Sequence, residues 1–446
     1  LTFSGKVASG VFFDSDDVPK ENPSIQQPIN PNYIGEDGRV RLWNDTDTDT
    51  GLRADLTASY TYENIGFRIR LRSDYDPASA SVADANRITV GRYAYGWVNL
   101  FNEGLKLTGG FIDLSDNVWG TLGDGDWDIG GDGVRLEIKP FKFFKTLDED
   151  AVGSLNIGAF LRIPAKENPN RGRDDTGKTV YRTVDFQRTL QETVFGFRYI
   201  HPWFYASLQL ELDSDIDGVD IFEGSGGQIL SDWKVWSSAG DETRLMFGAG
   251  FTLLPALVVT AEGNIEGLGN WEARGKADLR QTASYTLFDT LTLGMKAQEL
   301  IWGYDLEKHA DLPFELTPWM QFKPFVNYRI IPAFTAGLEG GFGSGHLVTG
   351  LLASKTSNTN DQNNKDLFFV NEKYNYYIKP NLAYKFAGGL EVTAWYKATF
   401  IGYADLGDDP TLADRRRSTI PFTDDGMTLI DSMIQHQVAL EFIWTF

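Results

Sequence analysis

Three arginines, Arg68, Arg70 and Arg72, alternate with Phe67, Ile69 and Leu71. In an extended chain successive side chains point to opposite sides, so the three guanidiniums share one face. Each planar fork matches a carboxylate or a phosphate, and a row of forks can pass an anion along. The same alternation puts Lys106, Arg135, Lys139, Arg162, Arg274, Lys276 and Lys323 on the polar faces of later segments. Acids such as Asp55, Glu137, Glu211, Glu262 and Glu339 share those faces, but the bases outnumber them. Two readings of the arginine row stand together: cross-strand pairing that stiffens a wall, and guidance of anions along it. Tyr93, Tyr95 and Trp97 also alternate. They are expected in an aromatic belt at a membrane interface; an inward-facing slide for a sugar requires a bulge near Arg92.

Acidic repeats raise metal chemistry. Asp213, Asp215 and Asp217, followed by Gly218, match the first half of a calcium loop, in which alternating carboxylates converge and glycine permits the sharp turn. The closing glutamate is missing: its position is Gly224, and Glu223 comes one residue early. Loop-bound calcium is the weak expectation, and solvated acidic loops are the default. Catalysis finds little support. The four histidines, His201, His309, His346 and His436, lie in a turn, in loop-side segments and on an apolar face, and no glycine-flanked serine turn is present.

The elements that carry these residues are strands. Leu52, Ala54, Leu56, Ala58, Tyr60 and Tyr62 alternate with Arg53, Asp55, Thr57, Ser59 and Thr61. The period of two recurs through Leu155–Ile163, Phe204–Glu211, Val259–Glu266 and Val392–Thr399, and no helical period is sustained over a comparable length. Tight turns are expected at Glu63-Asn64, Asn102-Glu103-Gly104, His201-Pro202, Pro255-Ala256, Phe288-Asp289, Pro332-Ala333 and Ala387-Gly388-Gly389, with one longer connection near Lys145–Gly153. Between them lie segments rich in Asp, Asn, Gly, Ser and Pro, such as Asp14–Gly38, Ala165–Gly177 and Asp405–Asp425. Short turns at one end and long polar loops at the other are the pattern of a transmembrane up-and-down barrel. Eight short connections with both termini on that side imply about eighteen antiparallel strands. Sixteen is the alternative, because Ile221–Gly240 is hard to place.

Composition agrees and excludes other classes. The chain has 446 residues, 30 Phe, 18 Tyr, 12 Trp and no Cys, so thiolate metal sites and iron–sulfur clusters are excluded. A net charge of −21 disfavours nucleic acid, whose phosphates need clustered bases. No run of eighteen apolar residues occurs, so an ordinary transmembrane helix is excluded. A barrel strand needs only every second residue apolar. Soluble propellers also show many strands, but they repeat at a fixed period, and none is found.

The final segment is the most specific. Ile434, His436, Val438, Leu440, Phe442, Trp444 and Phe446 share a face, and the chain ends in Phe446. This resembles the C-terminal strand of bacterial outer-membrane β-barrels of the porin type. The resemblance implies recognition of the strand ending in Phe446 by the barrel-assembly machinery, and partners among outer-membrane lipid and lipopolysaccharide. The expectation is one barrel domain, residues 1–446, all-β and without a plug, since a strand pattern begins at Leu1. Export then requires a leader already removed. The expected function is a porin: passive diffusion of small hydrophilic solutes, with anionic or carboxylate-bearing ones favoured. A structural or adhesive barrel is the alternative, and an outer-membrane enzyme a more distant one. An inward-folded loop must constrict the lumen, either Asp14–Gly38 or the stretch near Val118–Gly133. Oligomeric state stays open between monomer and trimer.

Overall fold

Alternating apolar and polar residues, interrupted by turn-forming clusters, produce strands and little else. The computed structural model describes residues 1–16, 21–22, 27–28, 39–43, 52–75, 86–112, 117–123, 125, 127, 129–144, 149–163, 193–212, 243–254, 256–268, 271, 275–303, 317–352, 367–402 and 432–446. The wall consists of β1 (Thr2–Asp16), β2 (Arg39–Trp43 and Leu52–Tyr62), β3 (Ile65–Tyr75), β4 (Asn86–Leu100), β5 (Leu105–Ile112) and β6 (Gly131–Ile138). It continues with β7 (Ser154–Arg162), β8 (Thr193–His201), β9 (Phe204–Glu211), β10 (Arg244–Leu254), β11 (Leu257–Glu266) and β12 (Lys276–Leu287). The circuit ends with β13 (Leu291–Trp302), β14 (Trp319–Ile331), β15 (Phe334–Leu352), β16 (Leu367–Lys385), β17 (Leu390–Gly402) and β18 (Ser432–Thr445). The two pieces of β2 count as one strand because both pair with β1 in sequence: Asp14 to Gly10 face Arg39 to Trp43, and Ser9 to Thr2 face Leu52 to Ser59.

Each strand pairs antiparallel with its sequence neighbours, and β1 also pairs with β18, from Lys6↔Thr445 to Asp16↔Gln435. The sheet is therefore closed, an antiparallel barrel of eighteen strands. The last residue seals the seam. Gly5 N–H donates to the Phe446 carbonyl at 2.8 Å, and Phe446 N–H donates to the Gly5 carbonyl at 3.0 Å. A Cβ at residue 5 would meet the Phe446 ring, so the glycine makes this close approach possible. Closure leaves no unpaired edge, the condition for a sheet to cross hydrocarbon.

The end of the barrel that holds Thr2 and Phe446 carries the turns expected from sequence: Glu63-Asn64, Phe101–Gly104, the Pro140–Val152 connection, Pro202-Trp203, the turn through Ala256, Phe288–Thr290, Pro332-Ala333 and Phe386–Gly389. Phe288 and Asp289 both take positive φ (51° and 56°), as the tightest hairpin turns demand, and Gly388 and Gly389 do the same at 91° and 88°. The troublesome stretch Ile221–Gly240 lies outside the described residues, in the connection between β9 and β10.

The two faces differ sharply. Ile69, Leu107, Leu208, Phe342, Leu382 and Leu440 stand outward and exposed, on every side of the barrel. Such a belt is incompatible with water on all sides and fits hydrocarbon. The inner face holds nearly all the buried polar groups, among them Asp55, Arg72, Arg135, Glu137, Glu211, Glu262 and Asp278. The aromatic belt expected at Tyr93, Tyr95 and Trp97 is corrected here. Arg70 pairs with Tyr93, but the next residue, Leu71, pairs with Val90, so β4 is bulged by two residues at Gly91-Arg92. The two extra residues keep the parity: Ile88 and Val90 are in register with outward Ser73 and Leu71, and Tyr93 and Tyr95, of opposite parity, face inward, 1% and 6% exposed.

Candidate functional site

The lumen is lined by the buried polar groups of the wall, and a segment of the chain lies in it. Residues 117–123, 125, 127 and 129–131, between β5 and β6, lie along the inner wall. The wall offers a continuous row, one residue per strand: Asn156 on β7, Arg198 on β8, Ser207 on β9, Gly248 on β10, Glu262 on β11 and Arg280 on β12. The segment follows that row in order. Trp119 Nε1 donates to Asn156 Oδ1 at 3.1 Å. Arg198 donates to the Gly120 carbonyl at 3.4 Å. Thr121 lies over Gly248. Gly123 and Gly125 N–H donate to the two oxygens of Glu262 at 2.6 and 2.7 Å. Trp127 lies under the Arg280 guanidinium, 5.2 Å from ring centre to Cζ.

Small residues make room for this. Gly158 and Gly196, paired across β7 and β8, form the floor beneath Trp119, and a Cβ at Gly196 would overlap its indole. The buried ring then packs with Tyr93, Tyr95, Ile112, Ile129, Phe160, Val194 and Met246. These side chains form an apolar core inside the barrel wall, between wall and segment. Glu262 is also held from the wall side, since Tyr205 OH donates to it at 2.5 Å. Three donors on one carboxylate make it the latch of the inward segment. Of the two segments expected to constrict the lumen, Val118–Gly133 is the one seen inside; Asp14–Gly38 lies mostly outside the described residues.

At three places on the wall one carboxylate lies between two cations, while Asp278 pairs one to one with Arg280 at 2.8 Å. Asp55 accepts from Arg70 at 2.5 Å and from Arg72 at 2.8 Å. Glu137 lies between Arg135 at 3.1 Å and Lys106 at 3.8 Å. Glu211 lies between Arg162 at 2.5 Å and Arg244 at 3.1 Å. The first two clusters each carry one surplus positive charge; in the third Arg244 also reaches Glu266 at 3.8 Å, so two arginines meet two carboxylates. Arg68 and Arg70 also stack on Tyr93, at 5.5 and 5.9 Å. Across the lumen from the inward segment, lysines stand opposite one another on neighbouring strands. Lys296 is in register with Lys323. On β16 and β17, Lys379 lies over Trp395 at 4.4 Å and Lys397 over Tyr377 at 4.6 Å, each strand's lysine stacked on the other's ring. The carboxylates there are occupied by neutral donors: Tyr377 OH to Glu339 at 2.7 Å and Trp395 Nε1 to Glu441 at 2.5 Å.

The sequence-chosen basic residues thus fall into distinct places. Arg68, Arg70, Arg72, Lys106 and Arg162 sit on the inner face in the contacts given. Arg135 is inward but 2% exposed, covered by the segment, so it acts on the lumen only through its field. Lys276 lies over Trp302 at 5.3 Å, and Lys323 is on the lysine wall. Lys139 lies one residue past β6, at the turn end, where its N–H donates to the Gly104 carbonyl at 2.8 Å. Arg274 and the acidic trio Asp213, Asp215 and Asp217 lie outside the described residues. Among the described residues no group of three or more His, Asp or Glu is arranged to hold a metal ion. His436 faces outward, its Nδ1 2.8 Å from Tyr396 OH, and His201 stacks on Phe204 at the turn end. Alternation alone does not reveal the roles of Glu262, Tyr205 and Trp119. The available signal was the set of inward glycines, Gly158, Gly196 and Gly248, where a strand leaves its inner face bare.

A closed eighteen-stranded antiparallel barrel with an apolar outer belt, a charged inner wall and a segment folded into the lumen defines a porin-type outer-membrane barrel. No protein-family model and no curated protein matches the chain in sequence. Solved structures match in fold. Pseudomonas aeruginosa OprD is 12% identical, with a TM-score of 0.47 over 100% of this chain and 95% of that one. The anion-selective porin from Comamonas acidovorans is 10% identical, with a TM-score of 0.44 over 100% and 99%. A triple mutant of the Rhodopseudomonas blastica porin is 11% identical, with a TM-score of 0.41 over the same shares. At such identities nothing of their selectivity passes to this chain.

Proposed function

We propose that this protein is a passive-diffusion channel of the bacterial outer membrane that favours anionic, carboxylate-bearing solutes. The observation that carries the reading is the two-to-one pairing of the wall: Asp55, Glu137 and Glu211 are each held between two cations. A paired carboxylate offers little to a passing cation, and the surplus charge of the Asp55 and Glu137 clusters remains. Low-dielectric walls focus that field into the lumen, so wall charge weighs more than the acidic segments outside it. The net charge of −21 and the preference of the pore therefore have opposite signs. A solute would pass between the inward segment and the lysine wall of β13, β14, β16 and β17. There, ring-stacked lysines and the Arg68–Arg72 row meet its carboxylate.

The test is the reversal potential of the purified protein in a planar bilayer under a salt gradient. An anion-selective reversal supports the reading, and its decline in an Arg68→Ala, Arg70→Ala double variant assigns it to the row. Cation selectivity refutes the preference and leaves the channel; absence of any conductance refutes the channel.

A further inference from the structure

The outer belt carries one place where hydrocarbon would meet long polar side chains. Gln281 on β12 is exposed and alternates with inward Arg280 and Thr282. It is in register with Ala261 on β11 and Ala297 on β13. Glu299, two residues beyond Ala297, points the same way, because Leu300 beside it is buried and in register with inward Asp278 and Trp319. Gln281 and Glu299 have no polar partner among the described residues. Gln281 lies six residues from the turn end of β12 at Leu287. At ~3.3 Å per residue and a tilt of ~40° that is ~15 Å, near the middle of an apolar band ~25 Å tall.

The surface around it is flat. Ala249, Ala261, Ala283 and Ala297 surround Gln281 on four strands, with Ala249 in register with Ala261 and Ala283 next but one along β12. Phe247 lies down over Gly263, where any Cβ would overlap its ring. Small side chains allow two walls to approach closely in lipid, and a hydrogen-bonding group between them then has somewhere to bond.

We propose that the β11–β13 face docks on the same face of a second copy of this chain, about a two-fold axis along the membrane normal. That axis keeps every residue at its own height, so Gln281 meets the Gln281 of the second copy at a depth without water. A carboxamide is donor and acceptor at once, so the pair satisfies itself, each side giving one N–H and accepting one. Glu299, one step nearer the loop end, accepts the remaining N–H of the opposite carboxamide. The proposal does not depend on what passes through the lumen.

The chain has no cysteine, so single thiols report contacts without background. Ala283→Cys, on β12 beside Gln281 and so opposite its own copy, and an equal mixture of Ala261→Cys with Ala297→Cys, which face each other across the axis, each folded in phospholipid vesicles and oxidised or treated with a short bis-maleimide, are expected to give cross-linked dimers. Leu440→Cys, at similar height on β18, is the control and is expected to stay monomeric. Adding Gln281→Leu to Ala283→Cys is expected to lower the yield several-fold. Heat-modifiable migration verifies that each variant is a folded barrel. Equal yields at Leu440→Cys, no dimer from Ala283→Cys or from the mixture of Ala261→Cys with Ala297→Cys, or an undiminished yield with Gln281→Leu would each overturn the proposal.

Discussion

Removing the Glu262 carboxylate should free the tip of the inward segment while leaving the barrel intact. Glu262 is 3% exposed and accepts three hydrogen bonds, from Gly123 N–H, Gly125 N–H and Tyr205 OH. Bonds to a charged acceptor each contribute about 1.5–3 kcal/mol, but the lumen is wet and water can replace part of what is lost. A net cost of about 2 kcal/mol follows, which raises the population with the tip detached by about 30-fold. Detachment is local. Trp119 is 2% exposed and still anchored to Asn156, so only the stretch from Thr121 to Trp127 lifts from the wall. In single-channel recordings Glu262→Ala should therefore show more frequent current steps and greater open-channel noise than the unmodified protein. Glu262→Gln keeps one acceptor oxygen without the charge and should fall between the two. Limited proteolysis should cut Glu262→Ala between Thr121 and Trp127 faster. If conductance, noise and cleavage of Glu262→Ala match the unmodified protein, the latch is not what holds the segment.

Three further outcomes are expected. Gly196→Val places side-chain atoms where the Trp119 indole lies, so it should reproduce the noise of Glu262→Ala from the opposite anchor, with single-channel recording as the check. Asp55→Asn removes the carboxylate between Arg70 and Arg72 and should move the reversal potential toward greater anion selectivity, whereas Arg70→Ala with Arg72→Ala should move it the other way. Leu440→Arg puts a charge on the outward belt near mid-height and should cost about 2–4 kcal/mol of barrel stability, read by urea unfolding in lipid vesicles.

The strand framework was legible because one face of every strand must meet hydrocarbon, and a period of two writes that demand into the chain. The tight connections were legible for the same reason: the barrel leaves few residues for them, and Gly, Asn, Asp and Pro mark them locally. The face of Tyr93, Tyr95 and Trp97 was not. Ile88 and Val90 share their parity with Arg92, and only the register with β3 shows that two residues are bulged there. Two extra residues leave the parity unchanged, so Tyr93, Tyr95 and Trp97 stay on the face opposite Val90 and line the lumen; a charged residue at position 92, on the outward parity, is what hid this in the sequence.

The latch lies still further from sequence. Gly123 and Gly125 meet Glu262 across 139 and 137 residues, and alternation can only say that Glu262 faces inward. Yet the wall has a negative imprint of the segment. Gly158, Gly196 and Gly248 are inward positions on β7, β8 and β10 with no side chain, where Ser207 and Gln209 between them keep theirs. In a barrel that must fill or wet its interior, bare glycines on neighbouring strands mean that another part of the chain supplies the atoms. The segment Trp119-Gly120-Thr121, small but for one ring, is shaped to lie there. The same logic separates the two sides of the lumen. The side under the segment is packed, and on the other side Lys296, Lys323, Lys379 and Lys397 stand as two pairs of like charges on neighbouring strands. Like charges placed opposite each other weaken a sheet. Such a pair is tolerable where rings hold the ammonium groups, as Trp395 holds Lys379 and Tyr377 holds Lys397.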